Sequence, residues 1–266
     1  MAGKDQRIPQ QTSEPYSPEK SDTKGVWFIA EHKDGKLEKA AFLLAGECKS
    51  LATKLGEETA AIIIGHQIKD LATEFAPYGI DKAFLIADKR LEKYTGDTYV
   101  DALVQIVNLN KPAIILFATT PMGNDLAPRL AARLNVGLLA RYTEIEVDRD
   151  KKLTARRPIH GGKAQETVAI LRKPLVATVE TQLLAQQKTG IAQEPQVIEC
   201  KANIDAKNNK TKLLDYLKAD PCGVSVSEAE IVIGVGKGLA SADNLKPIEE
   251  LARMLGASIG GSRRAT

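Results

Sequence analysis

The sequence predicts an α/β fold: a parallel-sheet N-terminal domain with an antiparallel hairpin portion, then the start of a second parallel α/β domain. Three observations carry this reading. Apolar bursts of strand length alternate with longer amphipathic stretches, the pattern of parallel sheets covered by helices. Beyond Thr143 the hydrophobic period shortens towards two, as in strands joined by tight turns. After a polar stretch, the strand–turn–helix–strand pattern restarts close to the C-terminus.

Met1 to Lys24 holds Pro9, Pro15 and Pro18 among Gln, Ser, Thr and charged residues, and offers too little apolar surface to offset the entropy of ordering. A disordered tail is expected over 1–24, and its balanced charge and missing apolar stretch do not suit a targeting peptide. The first domain is expected over 25–185. Its strands are read at Val26 to Ala30, Ala60 to Ile64, Ala83 to Ala87 and Ile114 to Ala118, with helical spacing at Leu37 to Leu55, Gln67 to Ala76 and Thr98 to Leu109. Thr119 to Asp125 reads as a loop ahead of a helix at Leu126 to Leu134, at the carboxyl end of a strand, where open α/β sheets place ligands. Thr143 to Val147, Leu153 to Arg157, Thr167 to Leu171 and Leu175 to Val179 read as an antiparallel half, with a turn at His160-Gly161-Gly162-Lys163. Residues 186–221 are polar, with one short amphipathic piece at Lys212 to Leu217, and read as a linker or hinge. From 222 to 266 a βαβ unit begins, with strands at Glu230 to Ile233 and Ala257 to Ile259 around a helix at Asn244 to Leu255.

Composition narrows the function classes. The chain has 266 residues, 37 Lys+Arg against 34 Asp+Glu, and 43% hydrophobic residues. That fraction fits a globular protein, and no apolar run approaches the ~20 residues of a membrane-spanning helix. A net charge of +3 leaves no basic stripe of the kind that binds a phosphate backbone, so nucleic acid is not an expected partner. Cys48, Cys200 and Cys222 are odd in number and widely spaced, which suits a reducing cytoplasm better than a disulfide framework or metal site. His32, His66 and His160 have no Asp, Glu or Cys at ligand spacing, so no metal site is expected. Neither G-x-S-x-G nor G-x-x-x-x-G-K-[ST] occurs, and Glu31-His32-Lys33-Asp34-Gly35 after the first strand lacks a phosphate-binding signature.

Chemistry concentrates near the C-terminus. Gly234-x-Gly236-Lys237-Gly238 lies between a strand and a helix, where glycines let backbone N–H groups approach a pyrophosphate and Lys237 adds positive charge. The same spacing suits a plain strand-to-helix turn. Gly260-Gly261-Ser262-Arg263-Arg264 follows the next strand, and adjacent parallel strands deliver their end loops side by side, facing one ligand. An exposed basic terminus is the competing reading. No acid/base pair accompanies these turns, which ranks a dehydrogenase with its own dinucleotide site last and leaves no catalytic residue assigned.

Several segments together carry a family resemblance. Ala118-Thr-Thr-Pro-Met-Gly-Asn-Asp-Leu-Ala-Pro-Arg-Leu-Ala-Ala-Arg-Leu134, Arg157-Pro-Ile-His-Gly-Gly162, Lys173-Pro-Leu-Val-Ala-Thr178, Gly234-Val-Gly-Lys-Gly-Leu-Ala-Ser-Ala-Asp-Asn244 and Leu255-Gly-Ala-Ser-Ile-Gly-Gly-Ser-Arg263 resemble, in order, the α subunit of electron transfer flavoproteins. The resemblance covers Val26 to Arg264 and implies a nucleotide-hydrolase-like (Rossmann-like) first domain that contacts a β subunit, and FAD held by the second. It implies FAD contacts from Gly236, Lys237, Gly238, Gly261, Ser262 and Arg263. Lys237 stands where the family usually has Arg, which keeps the charge and loses the bidentate fork. Arg263 would lie by the flavin and favour its anionic reduced form through nearby charge. Val-Gly-Gln-Thr-like and Gly-Ile-Ser-Gly-like segments that complete the family's site would lie past Thr266, so an incomplete FAD domain is expected here.

The activity implied is electron carriage without substrate chemistry. The flavin takes electrons from dehydrogenases, such as those acting on acyl-CoA in fatty acid β-oxidation, and passes them to a membrane-bound quinone oxidoreductase. A bifurcating, NADH-linked version belongs to the same resemblance. The alternative is a truncated, non-redox α/β module that pairs with a β subunit and binds no FAD.

Overall fold

The computed structural model describes residues 23–148, 152–170, 172–190, 193–204, 211, 213–214, 226, 229 and 231–262. The tail expected over 1–24 therefore lies outside them apart from Thr23 and Lys24, as do Arg263, Arg264, Cys222 and most of the amphipathic piece at Lys212 to Leu217. The chain divides into two compact units, Met1–Lys212 and Leu213–Thr266.

The first unit starts with β1 (Val26–Ile29) and a small antiparallel hairpin, β2 (His32–Lys33) and β3 (Lys36–Leu37), that leads into α1 (Lys39–Leu55). Next come β4 (Thr59–Gly65), a 3-10 segment at Lys69–Tyr78, β5 (Lys82–Ala87), α2 (Gly96–Asn110), β6 (Ile114–Ala118), α3 (Pro121–Leu134) and β7 (Leu138–Tyr142). The strands β8 (Glu144–Val147), β9 (Leu153–Ile159) and β10 (Ala164–Ile170) form a separate antiparallel sheet. The chain then returns through β11 (Leu175–Val179) and β12 (Gln196–Cys200) to complete a seven-stranded sheet in the order β12-β5-β4-β1-β6-β11-β7. Every pairing in that sheet is parallel.

Parallel strands need crossover connections, and here these cover both faces. Side chains alternate along β1, so Val26 and Phe28 join the core under α1, while Trp27 and Ile29 join the core under α2 and α3. This is why β1, β4, β6 and β11 read as predominantly apolar runs and are buried throughout. Each fully buried Leu, Ile or Phe in these strands contributes about 1.5–3 kcal/mol. Phe28 meets Phe75 edge-on at 5.3 Å between ring centroids, which ties β1 to the 3-10 segment.

The α/β reading holds, and several details differ from the sequence expectation. Residues 67–76 hold 3-10 turns rather than an α-helix, running to Tyr78 with Pro77 inside the last turn. The loop expected over Thr119 to Asp125 ends at once: Thr120 caps α3, its Oγ1 accepting the Gly123 N–H at 3.0 Å, and Pro121 occupies the first turn. Leu175 to Val179 is not antiparallel but an inner strand of the parallel sheet, paired with β6 and with β7, a strand the sequence reading missed. Its five consecutive buried residues are the mark of a strand covered on both faces. Finally, part of the expected linker over 186–221 belongs to the first unit: β12 pairs with β5, and Thr189 and Gln193 donate backbone bonds to Pro77 and Ala76. An edge strand needs only one apolar face, so Val197 stays 46% exposed and the segment reads as polar.

The polar residues of α3 are turned towards α2. Asp125 accepts hydrogen bonds from Tyr94 Oη at 2.6 Å and Arg129 Nε at 2.8 Å, and Arg133 pairs with the buried Asp101 at 2.8 Å. Burial and then this bond to Asp125 push the Tyr94 hydroxyl pKa up. Desolvation alone would raise Asp125, but Tyr94 and Arg129 hold its carboxyl below the ordinary value.

The second unit contains β13 (Val232–Val235), α4 (Lys246–Leu255) and β14 (Ser258–Gly261). The two strands pair in parallel with Val232 opposite Ser258 and Val235 opposite Gly261. Short 3-10 turns at Lys237–Leu239 and Ala242–Leu245 connect β13 to α4. Strand β13 takes up Gly234 and Val235, which the sequence reading gave to the turn. Its core is small, with Ala252, Ala257 and Ser258 buried, whereas Val232, Leu251, Met254 and Leu255 are exposed.

Gly123 is set so tightly against β6 that an added Cβ would stand 2.0 Å from the Ala118 carbonyl oxygen. We expect Gly123→Ala to lower unfolding stability by about 3 kcal/mol in urea titrations. Gly137→Ala, with nothing within 4 Å of its Cβ, should change it by less than about 1 kcal/mol. Equal effects of the two substitutions would contradict the packing described.

Candidate functional site

Among the described residues, two places stand at the carboxyl ends of parallel strands, where such sheets hold ligands, and the first is filled. In the large sheet the strand order reverses between β1 and β6, and open α/β sheets bind ligands outside the carboxyl ends of strands at such a point. Here that point is a crevice lined by Ile29, Ala30, Glu31, His32, Ile64, Tyr99 and Met122, with room for about one water molecule. Glu31 is 9% exposed, and Thr120 Oγ1 donates to its Oε1 at 2.6 Å. Burial, opposed by that bond and reinforced by the negative Glu38, pushes the Glu31 carboxyl up to about 7. His32 Nε2 lies 2.9 Å from the Ile64 carbonyl oxygen. A carbonyl only accepts, so Nε2 carries the proton, and the buried Nδ1 has no partner among the described residues. Tyr99 Oη donates to the Leu91 oxygen at 3.0 Å. The protein's own side chains thus fill the switch point.

Glu31, Thr120 and Met122 gather here; sequence reasoning set the Thr119 to Asp125 loop at a ligand-binding edge but singled out none of these three residues. The signal was present: an acidic residue directly after a buried strand, and a Thr-Thr-Pro start to a helix after another.

The second place is the carboxyl edge of the β13–β14 pair. Gly236 follows β13, and Lys237 and Gly238 form the first part of a 3-10 turn in which the Leu239 N–H donates to the Gly236 oxygen at 3.1 Å. Asn244 Nδ2 donates to the Leu239 oxygen at 2.7 Å, which pins the far side of the turn. Gly261 ends β14, and the Ser262 N–H donates to the Val235 oxygen at 3.1 Å. Gly236, Lys237 and Gly238 therefore stand beside Gly261 and Ser262, all exposed, as the parallel register requires. Arg263 lies outside the described residues. Gly236 has φ −119° and ψ −176°, a conformation open to any residue, and a Cβ at Gly236 or Gly238 would meet nothing within 4 Å. Neither backbone strain nor packing among the described residues calls for glycine at these positions. A close-lying ligand would.

Among the described residues no group of three or more His, Cys, Asp or Glu could hold a metal ion, and no helix is long and apolar enough to cross a membrane.

Comparison with known proteins matches this division. Residues 26–205 match the electron transfer flavoprotein domain, and residues 225–266 match the electron transfer flavoprotein FAD-binding domain. The chain is 32% identical over 244 residues to the electron transfer flavoprotein subunit alpha of Thermoanaerobacterium thermosaccharolyticum, a match covering 91% of this chain and 74% of that protein. It is 35% identical over 247 residues to the protein FixB of Clostridium saccharobutylicum, covering 92% and 73%. The acryloyl-CoA reductase electron transfer subunit beta of Anaerotignum propionicum is 30% identical over 268 residues, covering 90% and 73%. On the fold, the paired glycine turns and these matches, the chain belongs to the electron transfer flavoprotein α-subunit family.

Proposed function

We propose that this chain carries electrons on FAD as the α subunit of a heterodimer. The observation that carries the reading is the pair of adjacent turns in the second unit, where Gly236 and Gly238 answer to no steric demand of the described residues. There, Gly236, Lys237 and Gly238 would receive the dinucleotide's phosphates, with exposed backbone and one cation. Gly261 and Ser262 would flank the flavin, and Arg263 would supply the charge that tunes its potential. When bound, FAD supplies the redox chemistry, and the protein's part is to hold and orient it. No residue is assigned substrate chemistry of its own.

The first unit, with its switch point filled, serves as scaffold and as the surface for the β subunit. We place the electron donors among dehydrogenases of the acyl-CoA type; the Anaerotignum propionicum relative, by its name, serves an enzyme that acts on an acyl-CoA thioester. A quinone oxidoreductase is the proposed acceptor, an NADH-linked bifurcating version the variant of the same role, and the cytoplasm the proposed setting.

The test is flavin absorbance of the chain purified with its β subunit after incubation with FAD. We expect a yellow complex whose FAD affinity falls at least about tenfold, or about 1.4 kcal/mol, in Gly236→Ala/Gly238→Ala. The unfolding midpoint should not move, because both Cβ positions are open. A colourless parent complex would favour a non-redox pairing module, and unchanged affinity in the variant would remove the assigned turn.

A further inference from the structure

The filled crevice of the first unit has an unusual occupant. A carboxyl group sits in the carboxyl-edge crevice of a parallel sheet, among Ile29, Ala30, Ile64, Tyr99 and Met122, and its neighbour His32 carries a buried nitrogen without a partner there. The one hydroxyl that bonds Glu31 among the described residues, Thr120 Oγ1, also accepts the Gly123 N–H and so caps α3. Thr119 is fixed in turn by donating to the Val179 oxygen at 2.8 Å, and Gly123 has no freedom to move towards β6. The start of α3 therefore has little slack except through the Glu31–Thr120 bond.

We propose that Glu31 is a pH-responsive clasp on the first turn of α3: as a neutral acid it holds that turn closed over the crevice, and as a carboxylate it favours an opened, hydrated form.

The surroundings of Glu31 fix the direction. Glu38, the N-cap residue of α1, adds a like charge. On β2 the neighbouring titratable group is His32, and on α2 it is Tyr99. The first turn of α3 contributes no acidic residue, and Asp125 and Arg129 further along are engaged with each other and with Tyr94. The Thr120 hydroxyl gives the charged form one hydrogen bond, and among the described residues no ion pair reaches Glu31, so a buried carboxylate there is relieved by water. With the closed-state value raised from 4.5 to about 7, the closed form is fully stabilised below 4.5. It loses that advantage as pH rises towards 7, and the loss levels off above.

Amide hydrogen exchange of Gly123 and Asn124, whose N–H groups bond Thr120 Oγ1 and the Thr120 carbonyl, reads the clasp in the full chain. After correction for intrinsic exchange rates, their opening constant should rise by up to about tenfold per pH unit between about 4.5 and 7, then plateau. The rise should be absent in Glu31→Gln, where His32 and Tyr99 remain. A flat profile in the parent chain, or the same rise in Glu31→Gln, would overturn the proposal. Should Glu31→Gln fail to fold, the parent's Glu31 side-chain carboxyl can be titrated by carbon NMR. A midpoint near 7 supports the clasp, and one near 4.5 overturns it.

Discussion

A parallel pair of strands cannot be joined by a hairpin, so each strand must hand the chain to a crossover that returns to the same end of the sheet. Everything functional in this protein depends on that constraint. It collects the loops after successive strands at one edge, and it buries the strands on both faces. The central strand β1 shows the second effect most plainly, with Val26 and Phe28 serving one core and Trp27 and Ile29 the other. The β13–β14 pair shows the first, since a register of Val235 opposite Gly261 leaves the next residues of each strand as neighbours.

The same geometry has opposite outcomes in the two units. In the first, the edge at β1 and β6 is filled by Glu31, His32, Tyr99 and Met122, and the helix that follows β6 is capped from within by Thr120. In the second, the corresponding edge presents exposed glycines, Lys237 and Ser262. A filled edge suits a scaffold. An open one suits a unit that grips a dinucleotide, the division of labour proposed for a family whose members are electron-transfer subunits.

Much of this was legible in the sequence. The inner strands announced themselves as apolar runs, because burial on both faces removes polar positions, and the turns at Gly236–Gly238 and Gly261–Ser262 stood out by composition. The order of pairing was not legible. Leu175 to Val179 follows three antiparallel strands in the chain, yet its partners β6 and β7 lie well before it, and local alternation cannot report a partner that distant. Strand β12 escaped because an edge strand with polar neighbours resembles a linker. The Glu31–Thr120 contact joins residues 89 positions apart, so neither residue carries a local sign of the other.

The central claim, that the two turns of the second unit form one ligand surface while the switch point of the first is closed, is most directly tested by amide chemical-shift mapping during titration with FAD. The account predicts that residues 236–239 and 261–262 shift together, with one saturation curve, while Glu31, His32 and Gly123 stay in place. Shifts confined to one turn, or centred on the β1–β6 crevice, would contradict it.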